Sequence, residues 1–261
     1  MQHPLRQARP ADPFLRLRME DPDFGVYAID GDHVAFLRTG RMSGETWVTA
    51  LGDDPARILA LIEELRPHGF DGVTAHDHVF VQLPEDLRGP DPGHWSLWEL
   101  TSESSLECAL VRADSADSTD TTAHSANRAV RLEPDDPRID PLLEHSSSAY
   151  IHAGDPHVEE WLGIVDGDEL IAVGARVGAA HGRAHLVSIC TDPAHRGRGL
   201  GRALTASLAA EAVASGVTGV WLEMYADNDA AARAYRAVGF EELGRYRSAL
   251  LYGPSSPASE A

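Results

Sequence analysis

The chain has 261 residues, of which 43% are hydrophobic, enough to fill one large core or two modest ones. Its formal net charge is −19, so its electrostatic field repels the phosphate backbone of nucleic acids. A cationic amine therefore fits better as a partner. No apolar run approaches the ~20 residues that span a bilayer and no signal core opens the chain, so we expect a cytoplasmic protein without membrane contact.

The chain is predicted to contain two domains. Residues 112–128 are almost free of large apolar side chains and cannot offset their own ordering entropy, so this segment is interpreted as a polar linker. It separates an N-terminal α+β domain, residues 1–111, from a C-terminal domain, residues 129–254. A tail, residues 255–261, follows.

In the N-terminal domain, short β-rich runs between turn residues predict an antiparallel meander. These runs cover residues 25–29, 33–37 and 46–51. Asp54 as N-cap and Pro55 at the first helical position then predict a helix to Leu65, and residues 79–83 are predicted to return to strand.

His76 and His78 flank Asp77, an arrangement that resembles a set of metal ligands. Polar residues at a strand edge explain the arrangement better, so the N-terminal domain offers no catalytic constellation.

The C-terminal domain is predicted to begin with a short strand at residues 129–132 and a helix from Asp140 to Tyr150. A meander follows over residues 161–165, 170–177 and 184–190. Over residues 200–213 the apolar residues then recur at the spacing of a helix. A strand at 217–224, a helix at 230–238 and final strands within 240–251 complete the order. This order predicts an α+β fold with helices packed on a mostly antiparallel sheet.

The segment from Thr191 to Arg202 is rich in glycine and arginine and lies between a predicted strand and a predicted helix. Backbone N–H groups at a helix start, together with the positive end of the helix dipole, form an anion site. Glycines at 197, 199 and 201 allow close approach of a ligand, and neighbouring arginines can add charge. The segment therefore predicts a phosphate-binding loop.

Two other phosphate motifs are excluded by their spacing. A P-loop requires lysine, and all 22 basic residues of this chain are arginine. A dinucleotide fingerprint would place its third small residue at Leu204, and the parallel βαβ context is missing from the predicted order. A merely flexible glycine-rich turn remains the competing interpretation.

The run Arg196-Gly-Arg-Gly-Leu-Gly201 matches the signature R/Q-x-x-G-x-G/A of the GNAT superfamily of acyl-CoA-dependent N-acyltransferases. Residues 222–228 and 231–240 also resemble that family in order and spacing, and the resemblance covers residues 129–252. It implies a GNAT-like sheet with flanking helices, acetyl-CoA as co-substrate, an amine-bearing small molecule or a peptide N-terminus as acceptor, and no metal.

The resemblance also assigns donor-binding residues. Backbone N–H groups at Ile189, Cys190 and Thr191 would polarise the thioester carbonyl. The pyrophosphate would be held by the loop residues Arg196, Gly197, Arg198, Gly199, Leu200, Gly201 and Arg202. Asn228 would bind the pantetheine arm, cap the following helix, or do both.

Two residues are the candidates for proton transfer. By position Glu223 resembles the family's general base and Tyr235 resembles the tyrosine that protonates the departing thiolate. A structural carboxylate paired with arginine, and an aromatic that only packs on the cofactor, are the respective alternatives.

The sequence favours direct transfer in a ternary complex, because it contains no activated Ser-His-Asp or Cys-His arrangement. Cys190 lies in an apolar strand pattern and is interpreted as a core residue. With Cys108 in the other half, neither a disulfide nor a zinc site is expected.

The acceptor is sought in residues 150–161, where the family places its substrate loop. Its candidates for contact with an amine are His152, His157, Glu159 and Glu160. For each of them alone, an ordinary polar loop residue is the simpler interpretation.

Two further hypotheses concern the whole chain. The first is a catalytically silent acyl-CoA-binding sensor or regulatory protein with the same fold. The second is that the N-terminal domain is a degenerate copy of the GNAT fold without the loop signature. Such a copy would wall the acceptor cleft or form a homodimer.

Overall fold

The computed structural model describes residues 2–19, 25–40, 44–100, 128–178 and 182–251. Cys108, nearly all of the predicted linker and the tail at residues 255–261 lie outside these ranges. None of the helices in the described ranges combines the length and apolar character needed to cross a lipid bilayer.

The helices of the described residues are α1 Pro4–Ala8, α2 Pro13–Leu17, α3 Pro55–Leu65, α4 Asp77–Phe80, α5 Ile139–Leu143, α6 Leu200–Ala214 and α7 Asp229–Val238. The strands are β1 Tyr27–Asp30, β2 His33–Thr39, β3 Thr46–Leu51, β4 Gly72–His76, β5 Gly93–Leu100, β6 Ala129–Leu132, β7 Val158–Asp166, β8 Glu169–Val177, β9 Arg183–Thr191, β10 Gly219–Tyr225 and β11 Glu241–Leu250. The expected α+β class is confirmed.

The chain forms two compact units, each of which is discontinuous in sequence. The first comprises Met1–Ser96, Tyr225–Asp227 and Gly244–Ala261, and the second comprises Leu97–Met224 and Asn228–Leu243. The predicted boundary at residues 112–128 remains a prediction, because nearly all of it lies outside the described residues.

The sheet of the first unit has the strand order β1-β2-β3-β4-β11-β5. β1, β2 and β3 are antiparallel, and β3 and β4 are parallel neighbours joined through α3. β11 then pairs antiparallel with β4. α3 buries Ile58 and Ile62 completely against this sheet, which forms the core of the unit.

The sheet of the second unit has the order β5-β10-β9-β8-β7-β6. β7, β8 and β9 form the antiparallel meander that the sequence predicts, β6 pairs antiparallel with β7, and β9 pairs in parallel with β10 through α6. Leu204 and Leu208 of α6 are fully buried in the core of the unit. This crossover places the glycine-rich loop at the end of β9.

Three predicted elements in the described residues differ from the structure. The strand at residues 79–83 is wrong: β4 ends at His76, and the short helix α4 buries Val79 and Phe80. The helix predicted from Asp140 to Tyr150 ends at Leu143, shortly before three successive serines at residues 146–148, a residue type that is unfavourable in helix interiors. The segment predicted as several final strands is one strand, β11.

Candidate active site

A β-bulge lies near the end of β9. Val173 of β8 pairs with Cys190 and Ala175 pairs with Val187, so Ser188 and Ile189 both stand opposite one residue of β8. Ser188 has φ +51°, the one positive φ among the described residues other than glycine. A bulge takes a residue out of the ladder and re-aims its backbone groups. The bulge thus interrupts the β8–β9 hydrogen-bond ladder next to the backbone N–H groups at Ile189–Thr191, the predicted contact of the thioester.

The ladder between β9 and β10 is short. It contains three residue pairs and ends at Trp221 and His185. Beyond this point β9 continues to Thr191, still paired with β8, and β10 continues to Tyr225, whereas the ladder between β9 and β10 has ended. Unpaired strand edges that face one another can accept an extended ligand by strand-like hydrogen bonding. Ile189, Thr191 and Glu223 all lie beyond the last residue pair of the β9–β10 ladder.

Asp192 fixes the start of the loop. Its Oδ1 accepts from the N–H of Ala194 at 2.7 Å and lies 3.2 Å from Nδ1 of His195, over the 3₁₀ turn Pro193–His195. The hydrogen bond from His195 and that from the Ala194 N–H lower the pKa of the Asp192 carboxyl. The carboxylate is therefore engaged before the glycine-rich stretch begins.

The glycines give the loop its shape. Gly197 has φ +77° and Gly199, the N-cap residue of α6, has φ +80°, conformations that side chains rarely adopt. Among the residues that the structure describes, no side chain caps the first turn of α6. An added Cβ at Gly201 would meet Oγ1 of Thr191 at 3.6 Å, an ordinary contact, so the fold alone does not require glycine there. A glycine at position 201 would instead allow a ligand to approach the backbone N–H groups closely.

The arginines of the loop do not act alike. Nε of Arg196 donates to the carbonyl of Thr191 at 3.3 Å, which turns this side chain back to the end of β9. Arg198 and Arg202 are exposed. In a chain with a net charge of −19 they supply local positive charge at an uncapped helix start.

The candidate proton-transfer residues lie on β10 and α7. Glu223 is half-buried between the buried Leu222 and Met224. Tyr235 is 8% exposed and packs edge-on to Trp98, with ring centroids 6.4 Å apart. Burial raises the pKa of Tyr235 to about 12, which keeps the phenol protonated.

Asn228 is the N-cap of α7, where its Oδ1 accepts from the N–H of Ala231 at 3.0 Å. One of its two predicted roles is thus present, and the contact with pantetheine stays a prediction.

Cys190 is 5% exposed, and its thiol donates to the carbonyl of Leu142 at 3.3 Å. Burial is the main cause that raises the pKa of this thiol. A neutral, buried thiol is a poor nucleophile. The geometry agrees with the interpretation of Cys190 as a core residue whose backbone faces the site.

Glu159 and Glu160 are strand residues of β7 and are paired within the chain. Glu159 forms an ion pair with Arg176. The side chain of Glu160 is fully buried between Arg131 and Arg176. Neither carboxylate is available to an amine without breaking these pairs.

The two histidines of the predicted acceptor loop also have partners. Nδ1 of His152 lies 3.2 Å from Asp140, and Nδ1 of His157 lies 3.0 Å from Asp155. The hydrogen bond from the His157 N–H is the main cause that lowers the pKa of Asp155. Both histidines thus fit the interpretation as ordinary polar loop residues.

One group of side chains in the described residues has ligand atoms close enough to hold a metal ion. Its members are Glu169, Asp192 and His195, whose ligand atoms lie within 4.8 Å of one another. Glu169 is exposed, and Asp192 and His195 already hydrogen-bond each other in shaping the loop. We assign them this structural role.

The first unit contains a comparable crossover, β3-α3-β4, with a different helix start. Oδ1 of Asp54 accepts from the N–H groups of Ala56 and Arg57, and Pro55 has no N–H to offer. The start of α3 is therefore occupied by its own carboxylate, which would repel a phosphate.

The crossover β9-α6-β10 of the second unit lies in a segment that matches a known protein family. Residues 124–240 match the model described as the acetyltransferase (GNAT) family. The matched segment contains the bulged strand β9, the loop, and the three elements that follow it, α6, β10 and α7. It thus covers every candidate site residue of the chain.

Two curated relatives match shorter stretches. Over 77 residues the chain is 44% identical to the ribosomal protein bS18-alanine N-acetyltransferase of Escherichia coli. The matched stretch covers 30% of this chain and 50% of the relative. Over 60 residues it is 47% identical to the N-alpha-acetyltransferase RimI of Mycobacterium tuberculosis, covering 23% of this chain and 36% of the relative. The chain thus spans half or less of the length of these relatives.

The fold has counterparts among solved structures. A GCN5-related N-acetyltransferase from Kribbella flavida superposes with a TM-score of 0.54 at 17% sequence identity, covering 85% of this chain and 88% of that one. At this identity the likeness concerns the fold alone. It confirms the expected GNAT-like mixed sheet with flanking helices.

Proposed function

We propose that residues 124–240, which match the model of the acetyltransferase (GNAT) family, form a domain that transfers the acetyl group of acetyl-CoA to a primary amine. The observation that carries the proposal is the uncapped, glycine-shaped start of α6 directly after the bulged end of β9. We expect the reaction to take place in the cytoplasm, without nucleic acid or metal.

The donor would lie along the end of β9. Backbone N–H groups of the loop and of the first turn of α6 bind the pyrophosphate, and the exposed Arg198 and Arg202 add charge. The pantetheine arm lies between β9 and β10 beyond the end of their shared ladder. The thioester carbonyl accepts from backbone N–H groups at Ile189–Thr191, which also stabilise the oxyanion that forms during attack.

The chemistry requires two proton transfers. The acceptor amine loses a proton to Glu223, directly or through water, as its nitrogen attacks the thioester carbon. The tetrahedral intermediate then collapses, the C–S bond breaks, and the CoA thiolate takes a proton from Tyr235. Because burial keeps Tyr235 protonated, its proton-donating form is populated throughout the physiological pH range.

We propose that the acetyl group moves directly between the two substrates. Cys190 is buried, its pKa is raised, and its thiol is hydrogen-bonded to a carbonyl. An acetyl-enzyme at this position would have to form in the packed core, so a ternary complex is the simpler route.

The acceptor class is open between a peptide α-amino group and a small-molecule amine. Two curated relatives are named for N-terminal or alanine N-acetylation. Peptides with a free N-terminal alanine are therefore the first acceptors to test, and the acidic charge of the chain favours cationic amines beside them.

We propose that the first unit is a copy of the same fold without a donor loop. Its succession of three antiparallel strands, a helix and a parallel strand repeats the succession from β7 to β10. Asp54 occupies the helix start that would meet a pyrophosphate. One molecule of acetyl-CoA per chain is the expected stoichiometry in a titration.

The function is tested by CoA thiol release from acetyl-CoA in the presence of alanine-terminated peptides and a panel of small primary amines. Tyr235→Phe should lower kcat by about 10² to 10⁴, the usual range for a lost general acid. Tyr27→Phe is the matched control, because Tyr27 is 41% exposed in the first unit. Tight acetyl-CoA binding without thiol release on any amine, unchanged by Tyr235→Phe, would favour the silent acyl-CoA sensor instead.

Glu223→Gln separates the base from a structural carboxylate. As general base, Glu223 is required while the amine is protonated, so the loss of kcat in the variant should shrink as pH rises toward the pKa of the amine. Glu64→Gln, an exposed change on α3, is the control. A loss that is equal at every pH would assign Glu223 a structural role.

A further inference from the structure

The hydroxyl of Ser188 links the bulge of β9 to a segment far away in sequence. Its Oγ donates to the carbonyl of Ile151 at 2.9 Å and accepts from the N–H of the same residue at 3.3 Å. Ser188 is 8% exposed, so water competes little for this hydroxyl. One side chain thus holds both backbone groups of Ile151.

The same segment is held from a second direction. Oδ1 of Asp140 accepts from the N–H of Ala153 at 3.0 Å, and the N–H of Gly154 donates to the carbonyl of Pro134 at 2.7 Å. The segment Tyr150–Gly154, here called the 150–154 segment, lies where the sequence predicts the acceptor loop. Ser188 connects it to the strand that is proposed to receive the thioester.

The backbone conformation of Ser188 is unusual for a serine. At φ +51° glycine is favoured, and asparagine and aspartate are tolerated better than serine. A serine here keeps a conformation that costs free energy, and such outliers mark sites where the side chain or the strain has a function. What serine offers over glycine is the hydroxyl that binds Ile151.

We propose that Ser188 is a positioning residue that couples donor binding at the bulge to the placement of the acceptor-side 150–154 segment. This inference rests on the proposed function. Acetyl-CoA bound to the backbone at Ile189–Thr191 restrains the bulge, and the Ser188 hydroxyl transmits that restraint to both backbone groups of Ile151. The acceptor side is thereby ordered when the donor is in place.

Hydrogen–deuterium exchange with and without acetyl-CoA tests the coupling without knowledge of the acceptor. In the wild-type chain, acetyl-CoA should slow amide exchange of the 150–154 segment about tenfold, the equivalent of strengthening one hydrogen bond. Ser188→Gly keeps the backbone conformation and removes the hydroxyl. The variant should bind acetyl-CoA as the wild type does in calorimetry, yet lose this slowing.

Ser215→Gly is the matched control, because it removes a serine hydroxyl that donates to the carbonyl of Ala212 at the end of α6. It should keep the full effect of acetyl-CoA on the 150–154 segment. Ser188→Ala, which removes the same hydroxyl but keeps a Cβ, should behave like Ser188→Gly and serves if the glycine variant does not fold.

Once an acceptor is known, the kinetic signature is a raised KM for the amine at an unchanged KM for acetyl-CoA. Equal acetyl-CoA-dependent protection of the 150–154 segment in wild type and Ser188→Gly would overturn the inference. Failure of the wild-type chain to bind acetyl-CoA would overturn the proposed function itself, and the coupling with it.

Discussion

Replacing Gly197 by alanine tests whether the loop before α6 binds a phosphate. Gly197 has φ +77°, and an added Cβ would meet no atom within 4 Å. The cost to the fold is therefore the backbone penalty alone, about 1–2 kcal/mol for a residue with a side chain in this conformation. The same open space is where a pyrophosphate would have to approach the backbone N–H groups.

Gly216, just beyond the end of α6, is the matched control. It has φ +91°, it is exposed, and an added Cβ there also meets nothing within 4 Å. Urea unfolding should thus show similar losses for Gly197→Ala and Gly216→Ala. In calorimetry, acetyl-CoA affinity should fall at least about tenfold for Gly197→Ala, equivalent to ~1.4 kcal/mol, and stay unchanged for Gly216→Ala.

If Gly197→Ala binds acetyl-CoA as tightly as the wild type, the hypothesis that the loop before α6 binds a phosphate of acetyl-CoA is refuted. It is also refuted if both variants weaken binding equally, because the effect would then follow from the stability of α6 and not from contact with the ligand.

Three other predictions concern single residues of the site. Burial raises the pKa of Tyr235 to about 12, so the folded chain keeps a proton that the unfolded chain loses near pH 10. The free energy of unfolding should fall between these pH values, and less steeply in Tyr235→Phe in a urea series; equal slopes would contradict the shift. Acetyl-CoA without an amine should leave Cys190 unmodified in intact-protein mass spectrometry, and a stable acetyl adduct there would refute direct transfer. Asn228→Ala should lower the free energy of unfolding by about 1 kcal/mol through loss of the cap of α7, whereas Asn228→Asp should retain it; equal losses would contradict the capping role.

The loop and its neighbouring elements could be predicted from sequence because their determinants are local. Gly197 and Gly199 adopt the positive φ that only glycine takes easily, and Asn228 caps the helix that follows it. The apolar spacing of Leu200, Leu204 and Leu208 gives the α6 core face directly.

Features that depend on distant partners could not be predicted. The bulge at Ser188 follows from the register between β8 and β9, and its hydroxyl bonds a residue 37 positions away. The pairing of β11 with β4, in which Ser248 hydrogen-bonds Thr74 across 174 positions, has no local signal either. The short apolar run at residues 79–83 fits a strand or a buried helix equally well by period, and packing of α4 decides the outcome.

Mass spectrometry of the acceptor shows whether this chain transfers an acetyl group from acetyl-CoA to an amine. The chain is incubated with acetyl-CoA that carries a deuterium-labelled acetyl group, together with alanine-terminated peptides and small primary amines. We expect an amine that gains one labelled acetyl group, in amounts equal to the CoA thiol released and strongly reduced by Tyr235→Phe. Binding of labelled acetyl-CoA with no labelled amine product across the panel would contradict it.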